Sequence, residues 1–164
     1  MDAVEPHEPA AAPAPTARVA VDLTPEQRDV VEQMVRAYPR TAPAGWLRIV
    51  ARKECSEDPA VAGSATVQVV VVRGPQGLTQ QHYDPPDELY FPTADMLREL
   101  AAASPTRTVV LELVVDATGQ HVVRVLQDVP RLLAGVRDET SSVPVHRYLE
   151  RHTAELEELA ARVR

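Results

Sequence analysis

The chain has 164 residues, of which 45% are hydrophobic and 25% charged, enough for one globular domain with a hydrophobic core. Its formal net charge of −7 is unfavourable for binding nucleic acid or an anionic membrane, because both attract positively charged proteins. We therefore expect neither as a partner, and a basic or neutral protein suits the charge better.

The first 21 residues are rich in alanine, proline and glutamate. Such a segment buries too little apolar surface to offset the entropy lost on ordering, so we predict a disordered tail over residues 1–21 and a single domain over residues 22–164. The tail lacks the basic start and apolar run of a secretory signal, and Cys55 is the only cysteine. These features favour a cytoplasmic location.

The first half of the domain predicts one helix and three strands. Thr24, Pro25 and Gln27 have the spacing of a helix start with a capping box, and Pro39 ends that helix. Strands follow at 46–53, 67–73 and 78–83, the last two joined by a Gly-Pro-Gln-Gly turn. The apolar run at 69–72 indicates that both faces of its strand are covered at least in part.

The second half predicts two helices around a hairpin. Thr93 is expected to cap a helix that ends at residue 103, and Gly119 lies in the turn between strands at 107–115 and 120–127. A last helix is predicted over 144–163. Its apolar stripe favours packing on the protein's own sheet, while a homodimer or partner contact through this helix is the alternative. The stripe comprises Val145, Leu149, His152, Leu156, Leu159 and Val163.

Together these elements predict an α+β fold of order α-β-β-β-α-β-β-α. Two meanders with short turns favour a single antiparallel sheet of about five strands, with the helices packed on one face of it.

No residue set in the sequence is typical of an enzyme. Nucleophile elbows, phosphate loops and dinucleotide glycine patterns are absent, and only six glycines occur in the chain. Cys55 falls in a predicted polar loop (54–64) beside Glu54 and Glu57, which disfavour the thiolate, so we expect an inert thiol. His146 and His152 are six residues apart, a poor spacing for two metal ligands on a helix. We therefore expect no catalytic residues, metal or cofactor.

One alternative is a small-ligand or enzymatic domain that uses the open face of the sheet. His82, His121 and Glu112 would be its chemical groups. Glu112 lies between Leu111 and Leu113 and therefore on the opposite strand face, where a sheet surface open to water is the simpler explanation.

The loop before the second predicted helix is the preferred candidate for a protein contact. Aromatic side chains give contact area at little entropic cost, and carboxylates attract a basic partner. Phe91 is expected to pack on the core instead. The predicted contact residues are Tyr83, Asp84, Asp87, Glu88 and Tyr90.

The order of elements resembles that of the YezG-like antitoxin or immunity proteins, which neutralise secreted bacterial nuclease toxins. The resemblance runs from Leu23 to Arg164 and is carried by a leading amphipathic helix and a few landmarks. These are Gly45-Trp46-Leu47-Arg48-Ile49-Val50, His82-Tyr83, Met96-Leu97-Arg98-Glu99-Leu100, Asp116-Ala117-Thr118-Gly119 and Val143-Pro144. The valine-rich strands depart from the family's aromatic, acidic character.

The resemblance implies a stoichiometric protein binder that neutralises a toxin, with no functional residue carried over. The order of elements is also similar to that of small acidic secretion chaperones, which would instead imply a cargo protein as partner.

Overall fold

The computed structural model describes residues 18–136, 145 and 147–163. The predicted tail up to residue 17, and part of the predicted start of the last helix, lie outside the described residues. In chain order the elements are β1 (Val19–Ala20), α1 (Pro25–Ala37), a 3-10 turn (Tyr38–Thr41), β2 (Trp46–Ser56), β3 (Gly63–Gly74), β4 (Gly77–His82), a 3-10 turn (Asp87–Leu89), α2 (Tyr90–Ala103), β5 (Thr108–Asp116), β6 (His121–Gln127), α3 (Tyr148–Arg151) and α4 (Thr153–Arg162).

All strands belong to one antiparallel sheet of order β1-β6-β5-β2-β3-β4, which confirms the α+β class and both meanders. The sixth strand, β1, comes from the predicted tail. Val19 pairs with Gln127 and Ala20 with Leu126 at the sheet edge. A two-residue strand has no measurable hydrophobic period, so the sequence pattern could not indicate it.

Helices cover both faces of the sheet, whereas we expected them on one. The front face packs against α1 and α2, and its core includes Met34, Ile49, Met96 and Leu111. The back face packs against α3 and α4. The valine run in β3 had indicated cover on both sides, and the structure confirms it. Val70 and Val72 face the front, while Val69 and Val71 face the back.

The two front helices begin differently. Thr24 caps α1 with the predicted reciprocal bonds to Gln27, so this start is confirmed. Helix α2 begins at Tyr90, three residues before Thr93, which is therefore not its cap. Pro92 fits this earlier start because the N–H groups of a first helical turn have no acceptor within the helix.

The strands of the first hairpin extend further than predicted. Pairing of β2 with β3 continues to Glu54–Ala65 and Cys55–Ser64, through much of the predicted loop. Cys55 thus lies buried in a strand, and burial raises the pKa of its thiol, with Glu57 adding to the effect. The thiol remains in its unreactive, protonated form at neutral pH.

The predicted last helix is broken at His152, whose φ of −119° and ψ of 22° are not helical. The break separates α3 from α4 but keeps the apolar stripe in place. Leu156 and Leu159 are fully buried against the back face, with Val145 beside them. The expected packing of this segment on the protein's own sheet is therefore confirmed. Within the described residues, no helix has the length and apolar character needed to cross a membrane.

Candidate functional site

The segment between β4 and α2 carries the residues predicted for a protein contact, and Tyr83 anchors it. Tyr83 is only 2% exposed, and its hydroxyl donates a hydrogen bond to the carbonyl of Tyr38. Thr41 Oγ1 lies 2.9 Å from Tyr83 Oη and donates a hydrogen bond to the carbonyl of Asp84. Tyr83 therefore lies in the core and positions the segment. It offers no surface to a partner.

Two aromatic side chains at the start of α2 are exposed. Tyr90 is 69% and Phe91 72% exposed, and their rings meet edge to face with centroids 5.2 Å apart. The expectation that Phe91 packs on the core is wrong. The helix directs Thr93, Met96 and Leu97 inward, so Phe91 points away from the core. Tyr90 lies in the first turn, on the side of Thr93 and Leu97, and remains exposed beyond the edge of the core. The buried Leu89 fills the core position expected of Phe91.

Three exposed carboxylates precede the aromatic pair. Asp84 Oδ1 lies 2.9 Å from His82 Nε2, and Glu88 forms an ion pair with Arg40. Asp87 has no ion pair within the described part of the chain. The surface formed by Asp84, Asp87, Glu88, Tyr90 and Phe91 is hereafter the aromatic–acid surface. It combines contiguous apolar area with negative charge, the composition expected of a contact for a basic protein.

The alternative site on an open sheet face is not assembled. His82 is on β4 and His121 on β6, which are four strands apart in the sheet, a separation of about 19 Å at the usual strand spacing. Glu112 is on β5 and forms ion pairs with Arg18 and Arg52. The three side chains therefore do not converge on one ligand.

The back face instead has a charged groove that sequence reasoning missed. It encloses about 540 Å³ beside α3. Its floor and walls include Arg18, Arg52, Glu112, Arg124, Asp128, Arg131, Tyr148 and His152. The sequence did contain an indication of this groove. Arg48, Val50, Arg52 and Glu54 occupy every second position of a strand, which places three charged side chains on one of its faces.

Glu54 lies next to this groove and contacts two of its lining residues, Arg52 and Arg131. Its side chain is fully buried and accepts hydrogen bonds from the backbone N–H groups of Arg131 and Leu132 at 2.8–3.0 Å. Arg52 Nε donates to Glu54 Oε2 at 3.0 Å, and Arg52 Nη1 donates to Glu112 Oε1 at 3.1 Å. Arg52 Nη2 is equally near Glu54 but is not aligned for a hydrogen bond. These contacts attach the 131–133 segment to the sheet, so the charged side chains of Glu54 and Arg52 have a structural role.

A second cluster attaches the C-terminal helices to the back face. The buried Arg48 forms a bidentate pair with Asp116, with distances of 2.5 and 2.8 Å. Its remaining nitrogen donates to Tyr148 Oη at 3.0 Å and to Glu155 Oε1 at 2.5 Å. The hydrogen bond from Arg48 lowers the pKa of Glu155. The ring of Tyr148 also stacks on His152, 4.1 Å away.

No group of three metal-binding side chains comes together among the described residues. Comparison with known proteins found no matching protein-family model and no match among curated proteins.

Proposed function

We propose that this protein is a stoichiometric binding protein whose contact is the aromatic–acid surface. The observation that carries the proposal is the exposure of two adjacent aromatic rings at the start of a well-packed helix. Large apolar side chains are costly to leave in water, and contiguous exposed aromatics mark interaction sites more often than isolated ones. Leu89 and Tyr83 hold the backbone beneath them, so the surface is already formed before a partner binds.

The charge of the surface favours a basic partner. Asp84, Asp87 and Glu88 are exposed in the segment that precedes the rings, and the whole chain carries a formal charge of −7. Nuclease toxins bind a polyanion and therefore have basic clefts, which acidic side chains can occupy. We therefore propose an immunity or antitoxin protein that neutralises a bacterial toxin, in agreement with the order of secondary-structure elements.

The proposal predicts that the aromatic pair is needed for partner capture. The tagged full chain, incubated with extract of its native host at physiological salt, is expected to retain one basic protein in stoichiometric amount. The double variant Y90S/F91S is expected to lose it, because an exposed aromatic hot spot contributes about 2 kcal/mol or more. The captured protein, expressed alone, is expected to arrest growth, and coexpression of the wild-type chain is expected to restore it.

The matched control is the double variant V122S/V129S. These valines are 51% and 36% exposed and lie outside the aromatic–acid surface. This control variant should capture the partner as well as the wild type does. Equal capture by Y90S/F91S and wild type would contradict the proposed surface, and a captured protein without toxicity would contradict the immunity role.

A further inference from the structure

A cavity of about 460 Å³ opens on the front face, beside the start of α2. Its walls come from β2, β3, α2 and the segment before α2, and they include Lys53, Gln68, Pro86, Leu89, Thr93 and Leu97. This volume lies in the range that holds small organic ligands.

Lys53 brings an amine into this cavity. It is the only lysine of the chain, and it has no ion pair within the part that the structure describes. Its one hydrogen-bonding partner there is Gln68, with Nζ and Oε1 3.5 Å apart. Burial lowers the pKa of Lys53 to about 8. A partly buried amine without a carboxylate partner is costly for folding, which makes it a candidate for ligand binding.

Thr93 brings an unsatisfied hydroxyl to the same cavity. The residue is 5% exposed, and Oγ1 has no hydrogen-bond partner among the residues that the structure describes. Buried hydroxyl groups nearly always have a partner, and a helical threonine usually finds one in its own helix. Thr93 is thus a second polar group that lines the cavity, on a different element from Lys53, and its hydroxyl has no partner within residues 18–136, 145 and 147–163.

We propose that this cavity binds a small organic monocarboxylate with a short apolar body. Lys53 Nζ pairs with the carboxylate, and the Thr93 hydroxyl donates a hydrogen bond to it. Leu89, Leu97 and Pro86 contact the apolar body. Such a ligand supplies a counter-ion for Lys53 and an acceptor for Thr93, neither of which the described part of the chain provides.

The other ionisable groups around the cavity restrict the ligand's charge. Asp84 and Asp87 line it and are exposed, and Tyr38 and Tyr90 complete the ionisable lining apart from Glu54. The Glu54 carboxylate itself is bonded to Arg52 and the 131–133 backbone on the back face. These two exposed carboxylates repel a dianion more strongly than a monoanion, so we expect a monocarboxylate to be preferred.

The single lysine makes a direct test possible. In protein labelled with ¹³C-lysine, one Cε signal reports the protonation of Lys53 alone. Sodium octanoate is expected to shift this signal saturably and to raise the pKa of Lys53 by about one unit or more, because a nearby anion favours the ammonium form. Octan-1-ol, which has the same chain and no charge, is expected to leave that pKa unchanged.

Two variants separate the polar contacts from nonspecific apolar binding. Octanoate is expected to raise the melting temperature of the wild type but not of K53M, and to raise that of T93V less than the wild type. The absence of a saturable shift at about 10 mM octanoate would overturn the proposal, since the dissociation constant would then exceed the millimolar range. An equal melting-temperature rise in K53M would also overturn it. Neither result bears on partner capture by Tyr90 and Phe91, which is measured separately.

Discussion

Two residues of the same type can have different roles in this protein because one is buried and the other is not. Glu54 and Glu57 are three positions apart in one polar stretch, and both seemed typical of a loop. Glu54 instead is fully buried, and its carboxylate accepts hydrogen bonds from backbone N–H groups and from Arg52. The Glu57 carboxylate has, among the described residues, one ion pair, of 3.8 Å with Arg98. The cost of removing each charge should therefore differ greatly.

We predict that E54Q lowers the free energy of unfolding by about 2–4 kcal/mol. The amide nitrogen of glutamine is a donor and would face other donors, namely the Leu132 N–H or the Arg52 guanidinium, and the buried Arg52 would lose one carboxylate. Urea unfolding monitored by circular dichroism measures the change. The control E57Q should lie within about 0.5 kcal/mol of the wild type, as is usual for surface substitutions. A similarly small effect of E54Q would show that the Glu54 contacts contribute little.

At the level of secondary-structure elements, α3 and α4 depend on polar attachment as well as on their apolar stripe. Both helices are short, with four and ten residues, so neither is expected to be stable by itself. Leu156 and Leu159 bury the stripe, and Arg48 joins β2 to Asp116 and to both helices through Tyr148 and Glu155.

We predict that R48M destabilises the protein by about 3–5 kcal/mol. Methionine fills the space of the arginine stem but leaves Asp116, which is 7% exposed, as a buried and unpaired carboxylate. Thermal and urea unfolding provide the measurement. The double variant R48M/D116N should cost less than the sum of the single variants, because the pair is coupled.

The same substitution at Arg40 is the matched control. Arg40 pairs with Glu88, and both side chains are 59% exposed. Surface ion pairs of this kind contribute about 0–1 kcal/mol, so R40M is expected to remain near the wild type. Equal costs for R48M and R40M would refute the proposed attachment of the C-terminal helices.

For the whole molecule, the order of strands predicts the order of local stability. Strands β2 and β5 are central, with hydrogen-bonded neighbours on both sides, and their front-face residues are buried under the helices. Strands β1 and β4 are the two edges, and β1 has only two residues. Edge strands open without breaking the rest of the sheet, whereas central strands open only with it.

We predict that amide hydrogen exchange is slowest in β2 and β5. Their amides at residues such as Ile49, Val50 and Leu113 should exchange only through global unfolding, with a free energy equal to that from urea unfolding. Amides of β4 should exchange through smaller openings. Exchange measured by NMR spectroscopy tests the order, and protection in β4 equal to that in β5 would contradict it.

Much of the fold followed from local sequence patterns. The first helix, the hairpins and the antiparallel sheet were predictable because their signals involve neighbours within a few positions. These signals are the capping residues Thr24 and Gln27, the turn that contains Gly119 and the apolar run at 69–72. Element boundaries were less accurate. Strand β2 continues to Ser56, beyond its predicted end, because polar residues such as Glu54 resembled a loop. Helix α2 begins earlier than predicted, directly after the 3-10 turn at Asp87–Leu89.

The candidate site was only partly visible in the sequence. The stretch that contains Asp84, Asp87, Glu88 and Tyr90 was predicted as a contact surface from its local composition. The structure shows that these residues are exposed, and their contact role stays a prediction. The opposite fates of Tyr83 and Phe91 were not predicted. One ring is buried against Tyr38, which lies 45 residues earlier, and the other is turned outward by the orientation of α2.

The sequence by itself determined the antiparallel α+β class, the two meanders and the acidic character of the chain, because hydrophobic period, turn residues and charge are local or summed properties. Only the tertiary structure decided which face each helix covers, that Glu54 binds a backbone segment 77 residues away, and that Lys53 and Thr93 line one cavity. The physical reason is that burial and hydrogen-bond partners depend on contacts between segments that are distant in the sequence. The type of a residue and its neighbours in the chain do not specify which distant segment packs against it.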